Sequence, residues 1–409
     1  MTPPSLVRTV FGRSSMLLAG GSLLQALVAF AANLVLVRLI APESFGRFAV
    51  VWAGAGMAFS LLSLRINVLI IRCPAAELDQ RRRDAYATAV LVESVLAAGV
   101  TLAWLAAAGV ESAFEPLLVA AMALAHWTNQ VRAFFERSMP FARLAGVETA
   151  TALLAHGAAV ALAAAGLGVA SLYLREAVLA VTTLAGLVAL GGVRWYRPVR
   201  LSLAEGRAIL REGRGVWLDS VLDGSFQRLV ILATGGLAGL KTTGYLFQAW
   251  RLASVPHQIL TPFISRVAGV WFGRTEDPHH REAGRRHALL LTAAALLPAA
   301  ALAAGFADPI VPIVFGEDWR PAAALLSILS GLVLCLTLFE TDRTFCLSTR
   351  RAKALMAARA AQYAGFGAAL LPAVLGWVEP GHAIAAGLSL AFAAAFLAIE
   401  AWLAFERRA

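Results

Sequence analysis

The chain has 409 residues, 59% of them hydrophobic and only 15% charged, with a mean hydropathy of +0.73. A soluble domain of this length needs a far more polar surface, so that class is excluded. The net charge of +10 is scattered between apolar segments and forms no compact basic domain, which argues against nucleic acid as a partner.

Apolar stretches of about 20 residues, the length that crosses a bilayer core, recur from end to end. They predict helices over 16–40, 45–71, 84–109, 113–131, 143–167, 170–193, 214–239, 243–271, 287–306, 321–346, 353–377 and 381–404. The first run, after Arg13, is too long for a signal-peptide core and reads as the first span. With the N-terminus inside, the segments assigned to the cytoplasm hold 27 of the 35 Lys and Arg. The outer connections instead carry Glu43, Glu111, Glu115, Asp308, Glu317, Asp318 and Glu379. Both termini are therefore expected in the cytoplasm.

Two outer turns resemble each other. Ala41-Pro42-Glu43-Ser44-Phe45-Gly46-Arg47-Phe48 joins helices one and two, and Gly239-Leu240-Lys241-Thr242-Thr243-Gly244-Tyr245-Leu246 joins helices seven and eight. Gly46 and Gly244 lie 198 residues apart, close to half the chain. The expected fold is an all-α integral membrane protein of about twelve transmembrane helices. They form two six-helix lobes, related by an internal repeat, around a central cavity. The lobes would be 1–193 and 214–409, with 194–213 as a basic cytoplasmic linker.

Charges inside a span each cost roughly 2.5–3.5 kcal/mol on insertion scales, so every one must face a partner or a wet cavity. The basic ones are Arg65, Arg175, Arg228 and Arg251; the acidic ones are Glu93, Glu148, Glu176, Asp219, Asp223, Glu340, Asp342 and Glu400. Arg175 and Glu176 are consecutive and are not expected to pair. Cations at several depths suit a ligand carrying phosphate, because guanidinium binds phosphate and keeps its charge when desolvated. The competing reading has the arginines pairing with these carboxylates and tying helices together.

Asp219, Asp223 and Gln227 share one face of helix seven. For Asp219, a solvated helix end and a proton- or sodium-coupling carboxylate are equally good readings, and Asp223, one turn deeper, favours coupling. In helix eight, Pro256 and Pro262 mark a kink or break. His257 between them reads as a structural residue. Cys73, Cys335 and Cys346 form no metal or disulfide pattern. There is no Walker loop, GxGxxG, DxD or HExxH, and no extramembrane stretch long enough for a catalytic domain. Neither an enzyme nor a cofactor is expected.

Arg38-Leu39-Ile40-Ala41-Pro42-Glu43-Ser44-Phe45-Gly46 resembles the "RLLxPxxFG" signature of polysaccharide (O-antigen type) flippases, in the multidrug/oligosaccharidyl-lipid/polysaccharide exporter superfamily. Further likenesses follow in order. They are Ser63-Leu64-Arg65 with Ile70-Ile71-Arg72, Gly166-Leu167-Gly168-Val169, Gly244-Tyr245 with Ala249-Trp250-Arg251-Leu252 and Pro256, and Phe315-Gly316-Glu317-Asp318-Trp319. The resemblance implies an alternating-access carrier that moves polyprenyl-diphosphate-linked oligosaccharide from the cytoplasmic to the outer leaflet of a bacterial inner membrane. It also implies a neighbouring polymerase and glycosyltransferases as partners. Arg65 and Arg251 lie within matching motifs and are candidate substrate-binding residues, joined by Arg228 and Arg38. Gln227 stands where the family often has aspartate, and Asn67 where an acidic residue is expected, which weakens the carry-over of ion coupling. A lipid II flippase would be expected to carry further C-terminal helices. The alternative in the same superfamily is a multidrug cation antiporter, which should prefer a carboxylate-lined cavity.

Overall fold

The computed structural model describes residues 21, 24–110, 112–138, 141–193, 196–264 and 268–407, and every regular element among them is helical. Leu24–Leu39 forms α1. Pro42 opens α2 (Pro42–Leu62), the first helical position, where its missing N–H is no loss. Sequence periodicity predicts one helix through residue 71, but the helix breaks at Ser63–Arg65 and resumes as α3 (Ile66–Arg72). Arg65 takes the left-handed conformation, φ 57° and ψ 47°, which is strained for a residue with a Cβ. Amides freed by a break must find acceptors. Leu64 N–H donates to Glu93 Oε1 at 3.0 Å, and Asn67 N–H donates to Gln130 Oε1 at 2.7 Å. Gln130 Nε2 in turn donates to Ser63 Oγ at 3.1 Å. Buried Glu93 and Gln130 thus hold the break open.

Glu93 lies on α4 (Gln80–Ala107), whose N-cap Asp79 accepts from Arg82 N–H. Gln130 lies in the last turn of α5 (Phe114–Val131), which a short α6 (Ala133–Glu136) follows. Next come α7 (Phe141–Leu162), continued as a π-turn over Ala163–Leu167, and α8 (Ala170–Ala189). Gly166 and Gly168, with φ of 89° and 52°, make the turn that reverses the chain between them.

The longest helix, α9, runs Leu203–Ala253 and begins well before the expected 214, so the second part of the basic linker is helical. Its start is a capping box: Glu205 N–H donates to Ser202 Oγ at 3.1 Å, and Ser202 N–H donates to Glu205 Oε2 at 2.7 Å. Gly239, at φ 82°, turns the chain within it. Helix eight breaks at Ser254, before Pro256, which opens α10 (Val255–Phe263); α11 is Gly269–Arg274. Helix nine also starts early, as α12 (Pro278–Gly305), because Asp277 accepts from His279 and His280 N–H. The 306–320 connection contains α13 (Ala307–Phe315). Helix ten is a pair, α14 (Ala322–Ile328) and α15 (Ser330–Ser348), bent by 45°. Finally come α16 (Ala352–Val374) and α17 (Pro380–Glu406).

Seven of the described helices are long and apolar enough to span a bilayer, or eight if the bent pair counts as one. The remaining expected spans fall short for visible reasons. Described α1 is short, α9 counts once although Gly239 turns the chain within it, α5 contains Glu115, His126, Asn129 and Gln130, and α16 contains Lys353, Arg359 and Gln362. The protein is a multi-pass, all-α membrane protein.

Contacts divide the chain into two compact units: Met1–Ile40 with Val51–Leu229, and Ala41–Val50 with Val230–Ala409. In unit one, Ile66, Ile70, Tyr86, Val90, Ala133 and Ile209 form a buried cluster beside the α2–α3 break. Unit two packs helices through small residues, as expected where lipid offers no hydrophobic drive. A Cβ on Gly365 of α16 would sit 3.2 Å from Ala394 Cβ of α17, and one on Gly387 would sit 3.0 Å from Ala369 Cβ. The two glycines of the repeated turns meet each other. A Cβ on Gly46 would collide with Leu240 O, and one on Gly244 would collide with Pro42 O. Each contact is the other with the two turns exchanged. Beneath it, Trp319 packs edge-on against Phe45, Tyr245 and Phe315.

Candidate anion-binding site

Arg228 lies on α9 in unit one, eleven residues before Gly239, or about 16 Å along the helix. Its Nη1 donates to Ser60 Oγ of α2 at 2.7 Å and to Gly224 O one turn back. Its guanidinium lies over the Trp52 ring, 5.8 Å from the centroid. The slot exists because two residues lack side chains. A Cβ on Gly56 would collide with Arg228 Nε and sit 3.0 Å from Cδ, and one on Gly224 would lie 3.1 Å from Nη1. Nε is buried with no hydrogen-bond acceptor. No carboxylate pairs with Arg228 among the described residues.

Arg65 is the second cation of this unit. It sits at the α2–α3 break, exposed, and its charge is close enough to act on Arg228. It too has no carboxylate partner among the described residues. Two guanidiniums without counter-charge repel each other, and an anion between them would relieve both. The competing reading, pairing with intramembrane acids, is not met at these two positions among the described residues.

The other candidates are placed apart. Arg251 is in unit two, half-buried, with its guanidinium 5.8 Å from the Phe247 ring centroid. Arg38 is exposed at the end of α1. Asp223 is exposed on α9; the side chains of Asp219 and Pro262 lie outside the described residues, as does Glu111. Pro256 stands at the start of α10, and His257 beside it bonds through Nδ1 to Thr337 Oγ1 at 3.2 Å.

Other expectations need correction. Arg175 Nη2 does pair with Glu176 Oε1, at 2.5 Å, because long side chains of consecutive residues can curl toward each other. Arg285, assigned to a cytoplasmic loop, is a fully buried residue of α12 bound to Asp342 and Glu400. The sequence reading also missed Trp52, Gly56 and Ser60. Their signal is the spacing of Trp52, Gly56 and Ser60 by four, which places them on one helix face.

The sequence profile of a family described as polysaccharide biosynthesis protein matches residues 35–324. The lipopolysaccharide biosynthesis protein WzxC of Escherichia coli (strain K12) is 29% identical over 140 residues; the match takes in 34% of this chain and spans only 28% of that protein's length. Among solved structures, a multidrug resistance MATE family transporter of the MOP superfamily in an inward-facing conformation is similar at a TM-score of 0.67. It is 14% identical, over 96% of this chain and 99% of that one. The eukaryotic MATE transporter AtDTX14 is similar at 0.59, again 14% identical, over 96% and 95% of the two chains. A MOP superfamily transporter from Pyrococcus furiosus Vc1 (DSM3638), described as having a binding pocket of reverse polarity, gives 0.56 at 14% identity over 97% and 95%. At these identities the likeness shows the fold, which is that of a MOP superfamily transporter.

Proposed function

The chain belongs to the polysaccharide biosynthesis protein family, a polysaccharide flippase family of the MOP superfamily, and from that premise we propose that it carries a polyprenyl-diphosphate-linked oligosaccharide from the cytoplasmic to the outer leaflet of a bacterial inner membrane. One observation carries the choice of ligand. Arg228 and Arg65 are two neighbouring cations with no carboxylate partner among the described residues, and Arg228 Nε is buried without an acceptor. A diphosphate supplies the missing charge and acceptors together.

In this reading the lobes 1–193 and 214–409 alternate access to a central cavity about the 194–213 linker, with both termini cytoplasmic. Arg251 and Arg38 meet the substrate from other helices. Asp223 and Asp219 take up a proton or sodium ion, and a polymerase and glycosyltransferases supply and consume the substrate. The chemistry is transport and breaks no covalent bond of the cargo.

The test is transfer of a fluorescent polyprenyl-diphosphate sugar across proteoliposomes, with surface polysaccharide read in cells. Arg228→Gln and Arg251→Gln should each abolish both while the protein still reaches the membrane. Wild-type transfer in Arg228→Gln would remove the diphosphate site. The second reading, a multidrug cation antiporter, draws on the fold shared with multidrug transporters. It predicts drug sensitivity on deletion with polysaccharide intact, and the uncompensated guanidiniums argue against it, since they would repel a cationic drug.

A further inference from the structure

One guanidinium of unit two meets three carboxylates. Arg285 of α12 is fully buried. Its Nη2 meets Glu282 Oε1 at 2.8 Å, one turn back on the same helix, and its Nε donates to Glu282 Oε2 at 3.2 Å. Its Nη1 meets Asp342 Oδ1 of α15 at 2.5 Å and also Glu400 Oε1 of α17. The two arginines that reach the cluster from its rim both go to Glu282: Arg407 at 3.2 Å and exposed Arg286 at 3.4 Å. Nη2 also donates to Glu400 Oε2 at 3.3 Å, so Asp342 and Glu400 meet at Nη1 and draw on the same guanidinium charge.

Arg407 also acts on Glu400 by its charge, and beyond it the described surroundings offer Asp342 no further cation. Arg351 is occupied by Glu406 at 3.4 Å, and Arg343 by Glu340 at 2.9 Å. Cys346 is buried beside Asp342. From α16, Arg359 bonds Gln362 at 2.8 Å, and from α10, His257 bonds Thr337. Arg274 lies exposed on α11. Asp342 itself is wholly buried, and its Oδ2 has no hydrogen-bond partner. Asp342 Oδ1 and Glu400 Oε1 both sit on Arg285 Nη1, which brings the two carboxylates side by side. Two ionised carboxylates cannot hydrogen-bond, because neither has a donor. A buried carboxylate without a counter-charge is costly, and one proton removes both problems.

We infer that Asp342 and Glu400 hold one proton between them, which makes the Arg285 cluster a proton-binding site joining α12, α15 and α17. Asp219 and Asp223 are not among its residues. Glu400 is the route in, since its side chain is 30% exposed while that of Asp342 is sealed. The proton comes from water, is taken up by Glu400, passes to the adjacent Asp342 carboxylate, and takes the pair with Arg285 from a net charge of minus one to neutral. Without it, two charged carboxylates crowd one guanidinium and push α15 and α17 apart.

Infrared spectroscopy of the purified full chain in lipid nanodiscs reads this proton directly. An un-ionised carboxylic acid gives a carbonyl stretch that shifts in deuterated water. A band of this kind at neutral pH should vanish in Asp342→Asn and Glu400→Gln, and persist in Glu317→Gln, a surface control. A wild-type spectrum lacking the band, or one that neither substitution changes, overturns the proposal. Thermal melts give a second reading, because asparagine has the shape of protonated aspartate. Asp342→Asn should melt no lower than the wild type at neutral pH, while Asp342→Ala melts lower. If Asp342→Asn fails to fold, or melts as low as Asp342→Ala, Asp342 is ionised and the proposal is wrong. Neither measurement involves a transported substrate.

Discussion

Arg228 and Arg285 are the same side chain in two opposite electrostatic settings. Arg285 is fully buried and meets three carboxylates, so its charge is spent inside the protein. Arg228 is half-buried, rests on Trp52 and Ser60, and meets no carboxylate among the described residues. The first fastens helices together and has nothing left to offer a ligand. The second is held by neutral groups, and its charge is the one the proposed function assigns to a ligand. An intramembrane arginine is therefore not informative by itself; its acceptors decide whether it is structure or site.

The sharpest way to break this comparison is to remove both arginines in turn. Arg285→Ala leaves buried carboxylates without their cation, and should cost about 3–5 kcal/mol, read as loss of folded protein from the membrane. Arg228→Gln removes a charge that nothing inside the protein neutralises. Its stability should change far less than in Arg285→Ala in a thermal melt, because no buried counter-charge is stranded and glutamine keeps an N–H donor, while transfer is lost. Equal destabilisation by the two would end the distinction.

Arg65 sharpens the contrast further. Its φ of 57° favours glycine, so Arg65→Gly should stabilise the fold by about 1 kcal/mol and yet slow transfer. A destabilised variant would mean that the side chain, not the backbone, holds the break. The smallest effect belongs to Glu205 at the water-exposed start of α9. Hydrogen bonds from Ser202 and from Arg81 hold its carboxyl below the usual range. Its contribution is present above the ordinary carboxylate value and is lost as pH falls through the lowered one. Wild type should therefore melt slightly above Glu205→Gln at neutral pH, and the two curves should converge in acid.

Much of the fold was legible because a bilayer demands runs of about 20 apolar residues, and the runs stand out. The breaks were harder. Ser63-Leu64-Arg65 contains no glycine or proline, and the groups that hold it open, Glu93 and Gln130, come from other helices. Apolar counting also starts helices too late, since their polar first turns look like loops. That is why Arg285 was read as a loop residue. The signals were present as Asp277-Pro278 and as Ser202 with Glu205, which are capping patterns and not hydropathy. Arg228 was identified from depth alone. Its slot was not, because it depends on Gly56 and Gly224 facing each other's helices.

The reciprocal approach of Gly46 and Gly244 makes the two positions interchangeable. A methyl group on either one levers the same pair of backbones apart, so Gly46→Ala and Gly244→Ala should do equal harm. Once the first has opened the gap, the second finds room already made. The double variant should be hurt far less than twice as much, a shortfall that independent sites would not give.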